Sequence, residues 1–536
     1  MAPTTSLDSP SALHQGQSMT GADYIARFLK ERGTNKVFLL TGGACAFIVD
    51  GIAKCPGIDY VCFQHEQAAA IAADAVWRSN KSVGATVATS GPGAVNLLTG
   101  IACSYFDSIP SIHITGQVNS AESGVYLGAK VRQAGFQETN IVEMAKPVTK
   151  YAVKVHSIEE LKRELTKAYN IAITHRMGPV LIDVPMDVQK QAAGNTIEYE
   201  PPSSQGPESP EIGMARDKLR TFFAGAERPL VVVGGGLGLA AVADGVVAWM
   251  EKNELPFVSS WNGMPYFDHD SPSYCGPIGV YGNRGANYIL QNCDALLVLG
   301  SRLDNRQRSG NPRGFAPGAR VQVLDIDVEE LKKYASDGYE TTPFDLRHLP
   351  LVLNGLVIAG LPDRWTTYVS KTKSEHLRRN QSTFAMKHGT LSPYDVVRRI
   401  NGFLDADAAV VVDVGGSQCW VHQSFHRTTQ TFFTSGGMGA MGYALPAAIG
   451  VALTSPHRQV IAFTGDGGLQ VNLQELQTAR QYGLDIKVVI MNNNGYGIIK
   501  QFQDSYFGSR YEASGRGYGT PDFKGIAKAL ACATSA

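Results

Sequence analysis

The stretch that most limits how this chain can fold is 465–497, GDGGLQVNLQELQTARQYGLDIKVVIMNNNGYG. The short apolar run 460–463 just before it reads as a buried strand. Gly465-Asp466-Gly467 then reads as a sharp turn, 473–482 as a helix, and 486–491 as a second strand ending in Asn492-Asn493-Asn494. Strand, helix and strand form a βαβ unit, whose two strands end on the same edge of a parallel sheet, where ligands bind. That edge brings the Asp466 carboxylate to the Asn493 carboxamide, 27 residues further on. Two such oxygens and a backbone carbonyl suit Mg²⁺, which keeps near-octahedral oxygen coordination and shares phosphate oxygens. Glycines at 465, 467 and 468 let backbone N–H groups approach a diphosphate closely. Gly-Asp-Gly alone is also what a surface turn looks like; the Asn pair within the βαβ frame separates the two readings.

The same alternation runs through the rest of the chain. Residues 22–32 read as a helix, 36–40 as a strand, 60–63 as a strand leading into Gln64-His65-Glu66-Gln67, and 68–77 as an alanine-rich helix. Strands follow at 83–88 and 111–115, then at 295–300 and 321–326 in a second region, and at 409–414 in a third. This pattern predicts an α/β chain of three doubly wound, Rossmann-like domains with mostly parallel sheets. The boundaries read as 1–18 for a disordered tail, 19–189 for an N-terminal domain, and 190–212 for a Pro/Ser-rich linker. A central domain follows over 213–365, a charged connection over 366–391, and a C-terminal domain over 392–536. The last ends just after the predicted helix 523–532, where a doubly wound domain normally adds another strand and helix, so it reads as incomplete.

Charge sets outer bounds. Lys+Arg and Asp+Glu are both 48, so no nucleic-acid or polyanion surface is expected. No apolar run is long enough to cross a membrane, and 1–18 has neither Lys, Arg nor an apolar core of the kind a signal peptide carries. The eight cysteines are scattered without a C-x-x-C pair and read as reduced core residues of a cytoplasmic protein.

Glu66 follows a predicted buried strand and precedes an apolar helix, which places it at a sheet edge, partly buried. Taken alone it reads as an acid stabilising a helix N-terminus. The wider motif set gives it a second reading. TGGA at 41–44, QHEQ at 64–67, ATSGPGAVNLLTG at 88–100, DSIPSIHITGQV at 107–118, FQET at 136–139, GPVLIDVP at 178–185, TSGGMGAMGYALPAAIG at 434–450 and GDG…NN recur together. With them the chain resembles the acetohydroxyacid (acetolactate) synthases, enzymes dependent on thiamine diphosphate (ThDP), over roughly residues 20–536.

The resemblance implies site roles residue by residue. Glu66 would contact N1′ of the cofactor aminopyrimidine and so promote loss of the thiazolium C2 proton. Asp466, Asn493 and the Gly495 carbonyl would hold Mg²⁺, with Gly465, Gly467, Gly468, Ser417 and Gln418 around the diphosphate. Met441 would support the bent cofactor, or else be an ordinary core residue; Gly43, Phe136 and Gln137 would line the substrate pocket, unless Gln137 is a surface helix cap. In the central domain Gly234-Gly235-Gly236, Gly279–Gly282, Gly300, Arg302, Asp304, Arg306 and Asp325 fall where the synthases contact FAD, which is structural in them. A glycine run after a strand is weak evidence by itself, and a cofactor-free domain of the same type is the competing reading; Arg306 could instead hold an acceptor carboxylate. The implied assembly is a homodimer or homotetramer with active sites between subunits.

Several positions depart from the synthase pattern. Gly415-Gly416-Ser417 replaces Gly-Gln-His, Phe502 replaces a tryptophan that favours 2-ketobutyrate as acceptor, and Gln117-Val118-Asn119-Ser120 replaces Gln-Val-Pro-Arg. No His-His pair of the simple 2-oxo-acid decarboxylases is present, and His113, mid-strand, reads as a satisfied core histidine. The reaction read from this set is decarboxylation of pyruvate and transfer of its two-carbon unit to an acceptor ketone. A second pyruvate, giving 2-acetolactate, and a larger ketone such as a nucleotide-linked keto-sugar both stand as acceptors; a flavin-dependent pyruvate oxidase is a third reading.

Overall fold

The computed structural model describes residues 18–128, 130–202, 209–358, 360–383, 391–530 and 532–533. All but the last residue of the tail expected over 1–18 lies outside them. The chain divides into two compact units, 1–202 and 203–536. Across both, mostly parallel sheets are covered by helices, the α/β class expected.

In the first unit six strands run side by side in the order Asp59–Cys62, Lys36–Leu40, Gly84–Ala88, Ser111–Gln117, Val180–Pro185, Tyr151–Lys154. Every pairing is parallel. Gly84–Ala88, Ser111–Gln117 and Val180–Pro185 are buried along their whole length, as parallel strands covered on both faces are, and polar side chains they carry, such as His113 and Asp183, are hydrogen-bonded. The chain reverses its direction of travel across the sheet between Lys36–Leu40 and Gly84–Ala88. This is a topological switch point, and it opens a crevice beyond the carboxyl ends of those strands.

The helix that carries Glu66, Glu66–Asn80, lies close against that sheet because its inner face is alanine. A Cβ on Gly84 would stand 2.0 Å from the Ala73 carbonyl oxygen, and one on Gly100 would stand 2.4 Å from the Ala70 Cβ. At its far end Arg78 is buried between Asp74 and Asp107, at 2.7 Å from each. Gly84→Ala is therefore expected to push strand and helix apart and to lower stability by about 1–3 kcal/mol; a thermal unfolding curve beside the parent checks this.

The second unit holds two parallel sheets. One runs in the order Tyr274–Pro277, Phe257–Ser259, Pro229–Val233, Ala295–Leu299, Arg320–Asp325, Glu340–Pro343. The other runs Thr431–Thr434, Ala409–Val412, Val460–Gly465, Ile486–Met491. Each has its own switch point, between Pro229–Val233 and Ala295–Leu299 in the first, and between Ala409–Val412 and Val460–Gly465 in the second.

Three expectations need correction. Gly465-Asp466-Gly467 is not a free turn: Asp466 opens a short helix, Asp466–Val471, ahead of Glu475–Gln481. The segment 190–212 is not wholly a linker, because Ala192–Gly194 pairs antiparallel with Met19–Thr20 and the helix Ser209–Phe223 starts within it. Most of 366–391 lies in the helix Asp363–Thr383, anchored by buried Trp365, whose indole N–H donates to the Pro229 carbonyl at 3.1 Å.

Candidate cofactor and active site

At the first unit's switch point Glu66 is the first residue of its helix and only 5% exposed. His65 precedes it as N-cap, its Nδ1 accepting from the Gln67 N–H at 3.1 Å. Asn96 Nδ2 donates to Glu66 Oε2 at 3.0 Å. The other oxygen, Oε1, lies 3.1 Å from where a Gly93 Cβ would be, so glycine keeps that flank open. Gly43 begins a short 3₁₀ turn, Gly43–Cys45, with open space at its missing side chain. Gln189 Nε2 holds this turn by donating to the Ala44 carbonyl at 2.7 Å, and Thr89 Oγ1 accepts from the Ala44 N–H at 3.3 Å.

Gln137 adopts φ +63°, and its Cβ lies 2.9 Å from where a Gly91 side chain would begin. It is thus a strained loop residue beside the Gly91 turn and not a helix cap. Phe136, beside it, is 84% exposed on this unit. The loop is tethered from below: Gln117 Nε2 donates both to the Thr139 carbonyl at 2.9 Å and to Asp183 Oδ2 at 3.0 Å, while Thr115 Oγ1 donates to Asp183 Oδ1 at 2.7 Å. The departure at 119–120 has a local structural use, since Asn119 forms a capping box with Glu122 and Ser120 binds Asp187 Oδ1 through both N–H and hydroxyl.

Burial pushes the Asp183 carboxyl up to about 6, against the opposing donors Gln117 and Thr115. A carboxyl raised above its unfolded value stabilises the fold when protonated, and that contribution is lost as pH rises from about 4 through about 6. Asp183→Asn, neutral throughout, is expected to flatten this part of the stability profile by on the order of 1–3 kcal/mol. Thermal unfolding between pH 4 and 7 measures it. His113 is the satisfied core histidine expected, with Thr86 Oγ1 at 2.8 Å and Ser111 Oγ at 2.9 Å on its two nitrogens, and burial pushes it down to about 3.

In the second unit, the switch point of the four-stranded sheet gathers the predicted metal residues. Asp466 is 2% exposed, and its Oδ2 accepts from the Gly495 N–H at 3.1 Å and the Tyr518 hydroxyl at 2.9 Å. One end of the Asn493 amide faces the Gly495 carbonyl at 2.7 Å and Asp466 Oδ1 at 3.2 Å. With nitrogen at that end the amide donates to both; with oxygen there, three oxygens converge as a hard cation's ligands do. The residues thus fit Mg²⁺.

Ser417 and Gln418 lie buried in the first turn of the helix Gly416–Ser424, after Gly415 in a left-handed conformation. Ser417 Oγ sits 3.6 Å from where a Gly465 Cβ would be, so hydroxyl and metal turn share the crevice. Behind them Asp413 is fully enclosed: it accepts from the Gly442 N–H at 3.1 Å and from Thr464 Oγ1 at 2.9 Å. Burial pushes its carboxyl up to about 6. A Cβ on Gly468 would lie 2.6 Å from Asp413 Oδ2. Asp413 thereby ties the turn that carries Gly467 and Gly468 to the loop that carries half-buried Met441.

At the six-stranded sheet of this unit the predicted FAD residues also gather at the strand ends, but the glycines have another use. Cβ atoms on Gly234 and Gly236 would strike Gly300, at 2.0 Å from its oxygen and 2.8 Å from its Cα. Gly235 faces Asn262, with 3.1 Å from the missing Cβ to the Asn262 Cβ. Asp304 caps the helix Asn305–Arg308, Asp325 accepts from the Asp327 N–H at 3.0 Å, and Arg302 pairs loosely with Asp304 at 3.8 Å. Arg306 is exposed, its guanidinium 5.6 Å from the Tyr281 ring centre.

Comparison with known protein families matches residues 19–144 to the N-terminal TPP binding domain of thiamine pyrophosphate enzymes, 217–340 to their central domain, and 413–536 to their C-terminal TPP binding domain. The large subunit of acetolactate synthase isozyme 2 from Escherichia coli K12 is 33% identical, over 96% of this chain and 90% of its own length. The acetolactate synthase large subunit of Lactococcus lactis subsp. lactis is 34% identical over 92% of this chain and 84% of its own. Isozyme 1 of E. coli K12 is 35% identical over 91% and 84%. The chain belongs to the acetolactate synthase family of thiamine pyrophosphate enzymes.

For an acetolactate synthase family member, two further groups at the site stand out that the motif reading did not assign. Asn96 sits within the ATSGPGAVN run, but its contact with Glu66 spans 30 residues and has no local signature. Tyr518 reaches Asp466 across 52 residues. Phe502, one of the departures from the synthase pattern, is 52% exposed and packs on Tyr506 and Phe507 at 4.6 and 5.8 Å between ring centres. Among the described residues no helix is long and apolar enough to cross a membrane.

Proposed function

We propose that this chain decarboxylates pyruvate and joins the two-carbon unit to the ketone of a second pyruvate, forming 2-acetolactate. The observation that carries the reading is that one chain holds both a buried, open-flanked Glu66 in one matched domain and the Asp466–Asn493–Gly495 oxygen set in another. When bound, ThDP supplies an electron sink for loss of CO₂ from a 2-oxo acid. Asp466, Asn493 and the Gly495 carbonyl would hold Mg²⁺, which would neutralise the charge of the diphosphate, and Ser417 would add a hydroxyl on that side. Glu66 keeps Oε2 engaged with Asn96, leaving Oε1 to take and return a proton at the cofactor's N1′. Gly43, Phe136 and Gln137 shape the substrate side. The reported relatives are all acetolactate synthases, so the larger-ketone acceptor is not favoured.

The proposal extends to FAD on the six-stranded sheet and to a homodimer or homotetramer. For FAD the support is position: Gly234, Gly300 and Asp325 end three neighbouring parallel strands, with Arg302 and exposed Arg306 beside them. The glycine packing on Gly300 is explained without a ligand, so the arginines carry the case. A flavin absorption spectrum in the purified protein supports this part; a colourless protein unaffected by added FAD rejects it.

The test of the main reading is a product assay with ThDP, Mg²⁺, FAD and pyruvate alone, following CO₂ and acetolactate. Rapid acetolactate formation supports it. CO₂ release with only slow acetolactate would return the acceptor to the larger-ketone reading.

A further inference from the structure

A carboxylate that binds a metal through one oxygen leaves the other to be satisfied by hydrogen-bond donors. At Asp466 the division is explicit. Oδ2 is taken twice, by the Gly495 N–H and the Tyr518 hydroxyl, and Oδ1 faces the Asn493 amide. A tyrosine hydroxyl can rotate, but here Gln470 Nε2 donates to the Tyr518 oxygen at 3.2 Å. With that lone pair engaged, the hydroxyl hydrogen is directed to Asp466 Oδ2. Gln470 also donates to the Asp466 carbonyl at 3.2 Å, so it is fixed from the same turn.

The tyrosine ring is itself held. Tyr496 meets it edge-on, with ring centres 4.7 Å apart. Gly467 leaves the necessary space, since its Cβ would come within 2.5 Å of Tyr496 and 3.2 Å of the Tyr518 hydroxyl. The segment around Tyr518 is pinned to the turn after Ile486–Met491: Tyr496 N–H donates to the Ser514 carbonyl at 3.1 Å, and Thr520 Oγ1 donates to Asn494 Oδ1 at 2.7 Å.

We propose that Tyr518, oriented by Gln470, is a positioning residue for the divalent cation, holding Asp466 so that Oδ1 is the oxygen presented to the metal. This rests on the reading of Asp466, Asn493 and Gly495 as the Mg²⁺ site. Groups that hydrogen-bond a ligating carboxylate from behind typically change metal affinity 10–100-fold when removed.

Tyr518→Phe in the full chain keeps the ring packing and removes only the hydroxyl. With saturating ThDP, Mn²⁺ affinity read from the free-ion electron paramagnetic resonance signal is expected to weaken about tenfold. The metal-free thermal unfolding midpoint is expected to stay close to the parent's, a split that general loosening of the fold would not produce. Asp466→Ala, run alongside, should lose Mn²⁺-ThDP binding. If Tyr518→Phe binds Mn²⁺ as the parent does while Asp466→Ala does not, the role of Tyr518 is overturned and the metal site stands. If both variants bind as the parent does, the metal site itself is misassigned and the proposal goes with it. Should Tyr518→Phe not fold, Gln470→Met carries the test: weaker Mn²⁺ binding supports the orienting role, and unchanged binding overturns it.

Discussion

Glu66→Gln is expected to cut acetolactate formation about 10²–10⁴-fold while leaving Mg²⁺-ThDP affinity within a few-fold. The substitution is nearly isosteric, and a glutamine oxygen can still accept from Asn96 Nδ2, so the local packing around the buried side chain survives. What disappears is a group able to hold a proton at the open Oε1 position. Steady-state turnover at saturating cofactor, beside a ThDP titration followed by intrinsic fluorescence, separates the two effects. Full activity in this variant would sink the assignment of Glu66. Loss of cofactor binding together with turnover would instead mean that Glu66 mainly builds the pocket.

Asp466→Ala is expected to abolish the thermal stabilisation given by Mg²⁺-ThDP. A ligand at a hundred times its Kd stabilises a folded protein by about 2.7 kcal/mol, so the parent should show a clear shift and the variant none. The comparison has to be made with and without ligand for each protein. Removing Asp466 also strands the Gly495 N–H and the Tyr518 hydroxyl as buried donors, which costs about 1–3 kcal/mol of stability on its own. A variant that starts lower but still rises with Mg²⁺-ThDP as the parent does would place the metal elsewhere.

The strands were the most legible part of this fold. Runs such as 36–40 and 486–491 match their observed bounds because each is mainly apolar and is flanked by polar residues, Asn35 and Thr41 for the first and Asp485 and Asn492 for the second. The meeting of Asp466 and Asn493 was also legible: once two parallel strands are placed, their ends are neighbours. Short elements paired over long distances were not. Ala192–Gly194 lies in a Pro/Ser-rich stretch, and its partner, Met19–Thr20, is more than 170 residues earlier. The start of Asp466–Val471 was hidden because glycines around an acid suggest a turn, and the packing of Gly468 on Asp413 and of Gly467 on Tyr496 shows why small residues are needed in a helix there. Gly234 and Gly236 are ambiguous in the sequence, since backbone packing on Gly300 gives a glycine run the same appearance as a cofactor loop.

Strand pairing gives one more consequence. Val460–Gly465 and Ile486–Met491 are matched residue for residue, with Gly465 opposite Met491 at the end. Asp466 follows the last matched position directly, and Asn493 lies two beyond its own. Sliding one strand by a single residue would move these groups apart by about 3.3 Å, more than a whole metal–oxygen bond. A cation bound at the proposed site would therefore work as a gauge for the alignment of the two strands. A metal titration of any variant with an insertion or deletion between 466 and 486 reports whether the chain took up the change in the connecting helices or passed it into the sheet.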